Sequence, residues 1–365
     1  MLEEIAQIWW VPILLGTTLA YGPLRAYGKY ISGLQRTKRI YLMFLCCFSI
    51  ATVYGVFVNK GGLPVFIWPM VLVGIANGVA NYYQWKSVDI SLVRNSMLAF
   101  LDDIIPMALS FFILGEAKYF SGNYWMISGV GLATLALVLF AWHAYRSGEK
   151  MDFYIYLGIY SVLWGGAQFA EHYYSVDGLP PDQFLFSWYG SSFATALLML
   201  LFIKERGKNQ KYEHRKDVWW ATAYVAGSTL GISLGIALGF YLDSHIFYLG
   251  AGGFLLSFLL IHAAYARFGN SHLEQLGKSG QLAKKDVFHM MVFALGILLC
   301  LRIAYWALSF PQVVVQPYYM AGEAIFPTLV GIYVFRELDE KPFDKNQWAY
   351  AVLAFIGLAC IFIGY

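Results

Sequence analysis

The stretch "SMLAFLDDIIPMALSFFILGE" (96–116) places two adjacent carboxylates and a proline inside an otherwise apolar run. A run of this length can cross a bilayer as a helix, and an Asp near its centre then costs about 2.5–3.5 kcal/mol. Such a cost calls for a partner elsewhere in the chain. Sliding the sequence along itself by 221 residues, the difference between 102 and 323, supplies one. "LDDIIPMALSFFILGE" (101–116) then lies over "GEAIFPTLVGIYVFRE" (322–337), with Asp102 over Glu323, Pro106 over Pro327 and Glu116 over Glu337. At the same offset Trp85 meets Trp306, and with a two-residue insertion "FSGNYW" (120–125) meets "FDKNQW" (343–348).

The composition sets the frame for that repeat. Of the 365 residues, 59% are hydrophobic and only 13% are charged, against about 25% charged in soluble domains. So few charges cannot cover a soluble surface, which predicts an all-α polytopic membrane protein. The net charge of +3 is correspondingly no sign of nucleic acid as a partner. The bilayer is the expected surrounding, and a homodimer is one possible assembly. Twelve apolar runs are long enough to span, at roughly 9–28, 40–59, 64–85, 91–114, 123–145, 153–174, 184–203, 218–240, 245–266, 286–308, 313–335 and 346–365. The linkers after odd-numbered runs hold 20 of the 25 basic residues, and the run ends beside them two more, Arg25 and Arg94; the even-numbered linkers hold only Lys60 and Lys118. The positive-inside rule then predicts a multi-pass protein of the plasma or inner membrane with both termini outside the cytoplasm. "MLEEIAQIWW" lacks the basic segment of a signal peptide, so the first run is expected to be retained. Cys46, Cys47, Cys300 and Cys360 all lie in apolar runs without metal spacing and read as buried thiols.

The matched runs have opposite parity, third with tenth and fourth with eleventh. The two copies therefore cross the membrane in opposite senses, an arrangement typical of secondary transporters. Residues 1–150 form the first repeat and 151–365 the second half, whose repeat core is about 286–365. Two five-helix repeats leave one extra helix pair, either runs six and seven or runs eight and nine. The segments "PMALSFFILGEAKYFSGNYWMISGVGLATLALVLF" (106–140) and "VLWGGAQFAEHYY" (162–174) resemble the EamA-type drug/metabolite transporter superfamily. That resemblance implies a ten-helix inverted-repeat fold and alternating access. The family's usual ten spans and cytoplasmic termini differ from the twelve spans and outer termini expected here.

The candidate site follows from the repeat. Asp102 and Asp103 differ by about 100° around a helix, so they are expected on different faces. The acidic counterpart Glu323 singles out Asp102, because Asp103 matches Ala324. Pro106 cannot donate to the Asp102 carbonyl, nor Pro327 to that of Glu323. Each copy thus offers a carboxylate, a freed carbonyl and a hinge, suited to a cation, a proton or a polar head group. The structural alternative is a kink braced by Ser or Tyr groups. Arg302, opposite Asn81 in the repeat, is expected either to pair with Glu323 or to reach for the interface. Glu171 and His172 are a possible gate, or else a solvated helix end. Gly227, Gly231, Gly235 and Gly239 recur four apart and form a smooth face for close helix packing.

These features lead to the expectation of a proton- or ion-coupled secondary transporter of a small polar or amphipathic metabolite, with no cofactor and no metal. No nucleotide-binding loop GxxxxGK[ST] occurs in the sequence, and the seven histidines form no cluster, so an enzyme is not expected. The alternative is a lipid-carrier flippase, or an intramembrane enzyme acting on a membrane-borne substrate.

Overall fold

A computed structural model describes residues 9–30, 36–146, 151–203, 215–243, 245–268, 284–336 and 345–365. It is 88% helical, with no strand among the described residues. The first run is compound: α1 (Trp10–Leu19) passes through a π-turn (Ala20–Leu24) holding Pro23 into α2 (Arg25–Tyr30). The helices that follow are α3 (Arg36–Val58), α4 (Met70–Ile90), α5 (Leu92–Ile113), α6 (Tyr124–Arg146), α7 (Met151–Val176) and α8 (Pro181–Phe202). After these come α9 (Arg215–Tyr241), α10 (Ile246–Phe268), α11 (Lys284–Ala307), α12 (Gln312–Tyr333) and α13 (Lys345–Gly364). A short 3-10 turn (Glu116–Phe120) joins α5 to α6.

Eight of these helices are long and apolar enough to cross a membrane: α3, α5, α6, α8, α9, α10, α11 and α13. Four expected spans fall outside that set for a physical reason. The first is interrupted by its π-turn. The other three carry polar side chains within the run: Asn77, Asn81 and Gln84 on α4, Gln168, Glu171 and His172 on α7, and Gln312, Gln316 and Glu323 on α12.

The chain folds as two compact units, each drawn from separate stretches of the sequence. One unit comprises Met1–Ser32, Val79–Leu179 and Leu299–Tyr365, the other Gly33–Gly78 and Pro180–Leu298. The chain passes from one to the other within α4 and again within α11.

In the first unit α5 lies along both α12 and α7, α6 along α13, and the α1–π–α2 segment along α12. Glycines permit the closest approaches. A Cβ at Gly129 of α6 would sit 2.7 Å from the Gly357 carbonyl of α13, and the converse distance is also 2.7 Å. The core around these helices includes Ile13, Met97, Phe140, Phe153, Leu157 and Val314.

In the second unit α3 packs on α8 and α9, and α9 on α10. The glycine face expected on α9 meets α10: Gly231 abuts Gly253, and Gly235 abuts Leu249. Polar groups there are paired: Asn77 Nδ2 donates to Ser192 Oγ at 2.8 Å, and Asn59 Nδ2 to Asp182 Oδ2 at 2.7 Å. The four cysteines are free thiols, Cys46, Cys47 and Cys300 buried and Cys360 half-buried.

Candidate functional site

The site is built wholly within the first unit, on α5, α12, α7, α4 and the start of α2. Asp102 and Asp103 lie on α5 and Glu323 on α12, all buried, with one carboxylate oxygen from each within 4.8 Å of the others. The expected convergence of Asp102 with Glu323 is therefore present. Asp103 joins them, contrary to the expectation of separate faces. The 100° between neighbours is a statement about Cα directions, and α12 packs against α5 closely enough for both carboxylates to reach one point.

The cation at this cluster is not Arg302, which is exposed on α11. Arg25 forms the ion pair with Glu323. An arginine near the end of a span can extend toward the interface. Arg25 is instead turned inward at the exit of the π-turn, over the ring of Tyr21, 5.9 Å from its centroid. With its amide oxygen facing the guanidinium, Gln84 accepts from Arg25 Nη2 at 3.0 Å and from Tyr160 Oη at 2.9 Å. π-turns within helices recur at functional sites, and this one aims the only guanidinium described at the cluster.

The carboxylates differ in what satisfies them. Glu323 is held by Arg25. Asp103 Oδ1 accepts from Gln316 Nε2, whereas its Oδ2 has no hydrogen-bond partner. Both oxygens of Asp102 are without one, although the Tyr160 hydroxyl neighbours it. Buried polar atoms without partners are rare in folded proteins. Here three of them belong to two adjacent carboxylates.

From Asp103 a hydrogen-bonded track follows the first two turns of α12. Gln316 Nε2 also reaches Gln168 Oε1 at 3.1 Å, and Gln312 Nε2 donates to Gln316 Oε1 at 3.3 Å. Ser110 of α5 donates to Gln312 Oε1. The spacing of 312 and 316 puts both amides on one helix face. The track ends at Glu116, whose two oxygens accept from the backbone N–H groups of Gln312 and Val313, each at 3.0 Å. Those groups open α12, so Glu116 caps that helix across space and meets the positive end of its dipole.

His172 completes this end. Its Nε2 lies 2.8 Å from Glu116 Oε1, and its Nδ1 2.7 Å from the Leu308 carbonyl oxygen. Glu171 and His172 are only 2% and 1% exposed, so a solvated helix end is ruled out. His172 is drawn in by these two acceptors, and Glu171 keeps one oxygen, Oε1, without a hydrogen-bond partner.

Pro106 and Pro327 lie inside helices assigned without a break. The Asp102 carbonyl that Pro106 frees is covered by α7: a Cβ at Gly165 would lie 2.5 Å from that oxygen. Only a glycine lets α7 come this close to that carbonyl. Asn81 sits half-buried on α4, one turn before the Gln84–Arg25 contact.

Arg25, Gln84, Tyr160, Gln168, Gln312 and Gln316 are site residues that the sequence reading passed over. Their shared signal is polarity inside an apolar run, which neutral amides give only weakly. A second feature is a groove of about 460 Å³ between α1, α12 and α13, lined almost wholly by apolar groups. Trp10, Leu14, Phe326, Phe355 and Phe362 form its walls; Gly322, which precedes Glu323 in sequence, also lines it, with Thr17 packed against that glycine.

No protein-family model and no curated protein matches this chain. Six solved chains match it in fold. One, described only as "Crystal structure of protein", aligns over 99% of this chain and 98% of its own with a TM-score of 0.52 and 12% identity. At that identity the likeness is one of fold alone.

Proposed function

We propose that this chain is a secondary transporter that moves a small polar or amphipathic metabolite by alternating access, driven by a proton or an ion. The observation that carries the reading is the meeting of Asp102, Asp103 and Glu323, from corresponding helices of the two sequence copies, at one buried point. Ionisable side chains within membrane spans mark substrate and ion paths, because nothing in the bilayer otherwise repays their burial.

The architecture proposed is twelve spans in two inverted five-helix repeats of the EamA type. Three packing relations support it. Helices that correspond in the two copies lie side by side, α5 with α12 and α6 with α13. The α1–α2 segment flanks α12 as α7 flanks α5. Of the four points where the chain changes unit, the two that fall within helices, after Gly78 and after Leu298, are nearly one repeat offset apart. In this scheme α9 and α10, zipped together through their glycines, are the extra pair.

A second reading, a flippase for a lipid-borne substrate, draws on the groove between α1, α12 and α13, whose apolar lining suits an acyl or prenyl chain. Reconstitution into vesicles separates the two. Uptake of water-soluble amines, amino acids or sugars under an imposed ion gradient supports the transporter. Movement of lipid phosphates alone supports the flippase, and no movement of any of them in folded protein refutes both.

A further inference from the structure

We infer that Asp102, Asp103 and Glu323 form a binding site for a hard divalent cation. This deepens the transport reading, on which it rests for its role, by naming the ion that the cluster takes.

Charge comes first. Three buried carboxylates face one guanidinium, that of Arg25, which is already committed to Glu323. Fully ionised, the group has a formal charge of −2, and a divalent ion balances it. A single ammonium group or sodium ion leaves one buried charge without compensation, a costly state in a low-dielectric surround.

The second observation concerns the oxygens and is separate from their number. Asp102 is completely buried, yet neither of its carboxylate oxygens makes a hydrogen bond, since the neighbouring Tyr160 hydroxyl donates to Gln84, and Asp103 Oδ2 makes none either. The protein supplies donors freely around them, through Gln316 for Asp103 Oδ1 and Arg25 for Glu323. It leaves bare the oxygens that would otherwise share an ion. Such an omission is expected of ligands, since an oxygen that donates its lone pair to a metal cannot also be saturated by amides.

Geometry agrees. Ligand oxygens from all three residues lie within 4.8 Å of one another. That spacing fits around one cation at metal–oxygen distances of about 2.0–2.6 Å. An all-oxygen, carboxylate-rich set without sulfur or imidazole selects Mg²⁺, Mn²⁺ or Ca²⁺ over zinc or copper. Gln316 acts as a positioning residue: its amide holds Asp103 Oδ1 and fixes the carboxylate, whose Oδ2 stays without a hydrogen bond.

The test uses the purified full-length protein in detergent micelles, with Mn²⁺ as the probe. Loss of the free Mn²⁺ resonance signal on titration reports binding, and thermal melting reports the linked stabilisation. The expected result is one saturable Mn²⁺ per chain, displaced by Mg²⁺ or Ca²⁺ and not by Na⁺. Asp102→Asn weakens binding by about tenfold or more. Arg25→Gln tightens binding, because it removes the competing positive charge; a purely structural carboxylate cluster would not respond in that way.

A folded wild-type protein that takes up no Mn²⁺ at millimolar concentration and neutral pH overturns the site, as does unaltered binding in Asp102→Asn. If Asp102→Asn does not fold, Gln316→Ala serves in its place, with weaker binding expected and unchanged binding overturning the site. Substrate uptake into vesicles is measured on the same preparation. Mn²⁺ binding without uptake refutes the transport reading and leaves the site intact. Uptake without Mn²⁺ binding refutes the site alone, with protons then neutralising the carboxylates.

Discussion

Replacing Arg25 by Gln removes the only described guanidinium at a cluster of three buried carboxylates, leaving Glu323 without its ion-pair partner. Breaking a buried ion pair from one side costs about 3–5 kcal/mol, because the remaining charge is stranded. Arg25 keeps 24% of its side chain exposed, so solvent screening places the cost at the lower end, about 3 kcal/mol. For a body of this size that corresponds to a fall in melting temperature of about 6–12 °C. Glu323→Gln alone costs less, since Arg25 retains Gln84 and its solvent access. The double variant Arg25→Gln/Glu323→Gln recovers most of the loss, giving a coupling energy of at least about 1 kcal/mol. The assay is thermal unfolding of the four proteins in the same detergent, followed by intrinsic fluorescence. Two results refute the reasoning: Arg25→Gln melting with the wild type, or a double variant whose loss equals the sum of the single losses.

Other variants test the surroundings of the site. Arg302→Gln is expected within about 0.5 kcal/mol of the wild type in the same melt, because Arg302 is exposed on α11. Glu116→Ala strands two backbone N–H groups and His172, at a cost of at least about 3 kcal/mol. Faster amide hydrogen exchange at Gln312 and Val313 checks it. Gly231→Leu drives a side chain into Gly253 and Ser257 of α10 and should abolish the monodisperse peak in size-exclusion chromatography. Gly252→Leu, at a position with open space around it, should leave the peak unchanged.

The meeting of two of the carboxylates could be read from one offset. The run 101–116 over 322–337 brought Asp102 and Glu323 into register, and burying a carboxylate is costly enough that two at matched depths are expected to meet. The glycine face of α9 was legible for a similar reason, since four-residue spacing has a direct geometric meaning on a helix.

Arg25 was not legible. It follows Pro23 at the apparent end of the first run, among Lys29, Arg36, Lys38 and Arg39, and so counted as an interfacial charge. The π-turn that carries it inward has no sequence signature beyond that proline. Lys38 and Arg39 are buried too, at 4% and 1% exposure, so this linker overstated the basic charge left at the interface. Asp103, a candidate from the start, was expected on a different face from Asp102 by an angular rule that ignores the reach of side chains. His172 is satisfied in the interior by Glu116, more than fifty residues away, and no local pattern announces it.

Accumulation of solute under an imposed proton or ion gradient, in vesicles holding either the wild type or Asp102→Asn, shows whether the buried carboxylates couple transport to the gradient. The wild type is expected to concentrate at least one solute of the panel, while Asp102→Asn, folded and inserted to the same extent, exchanges that solute without concentrating it. Equal accumulation by the two proteins would contradict the account.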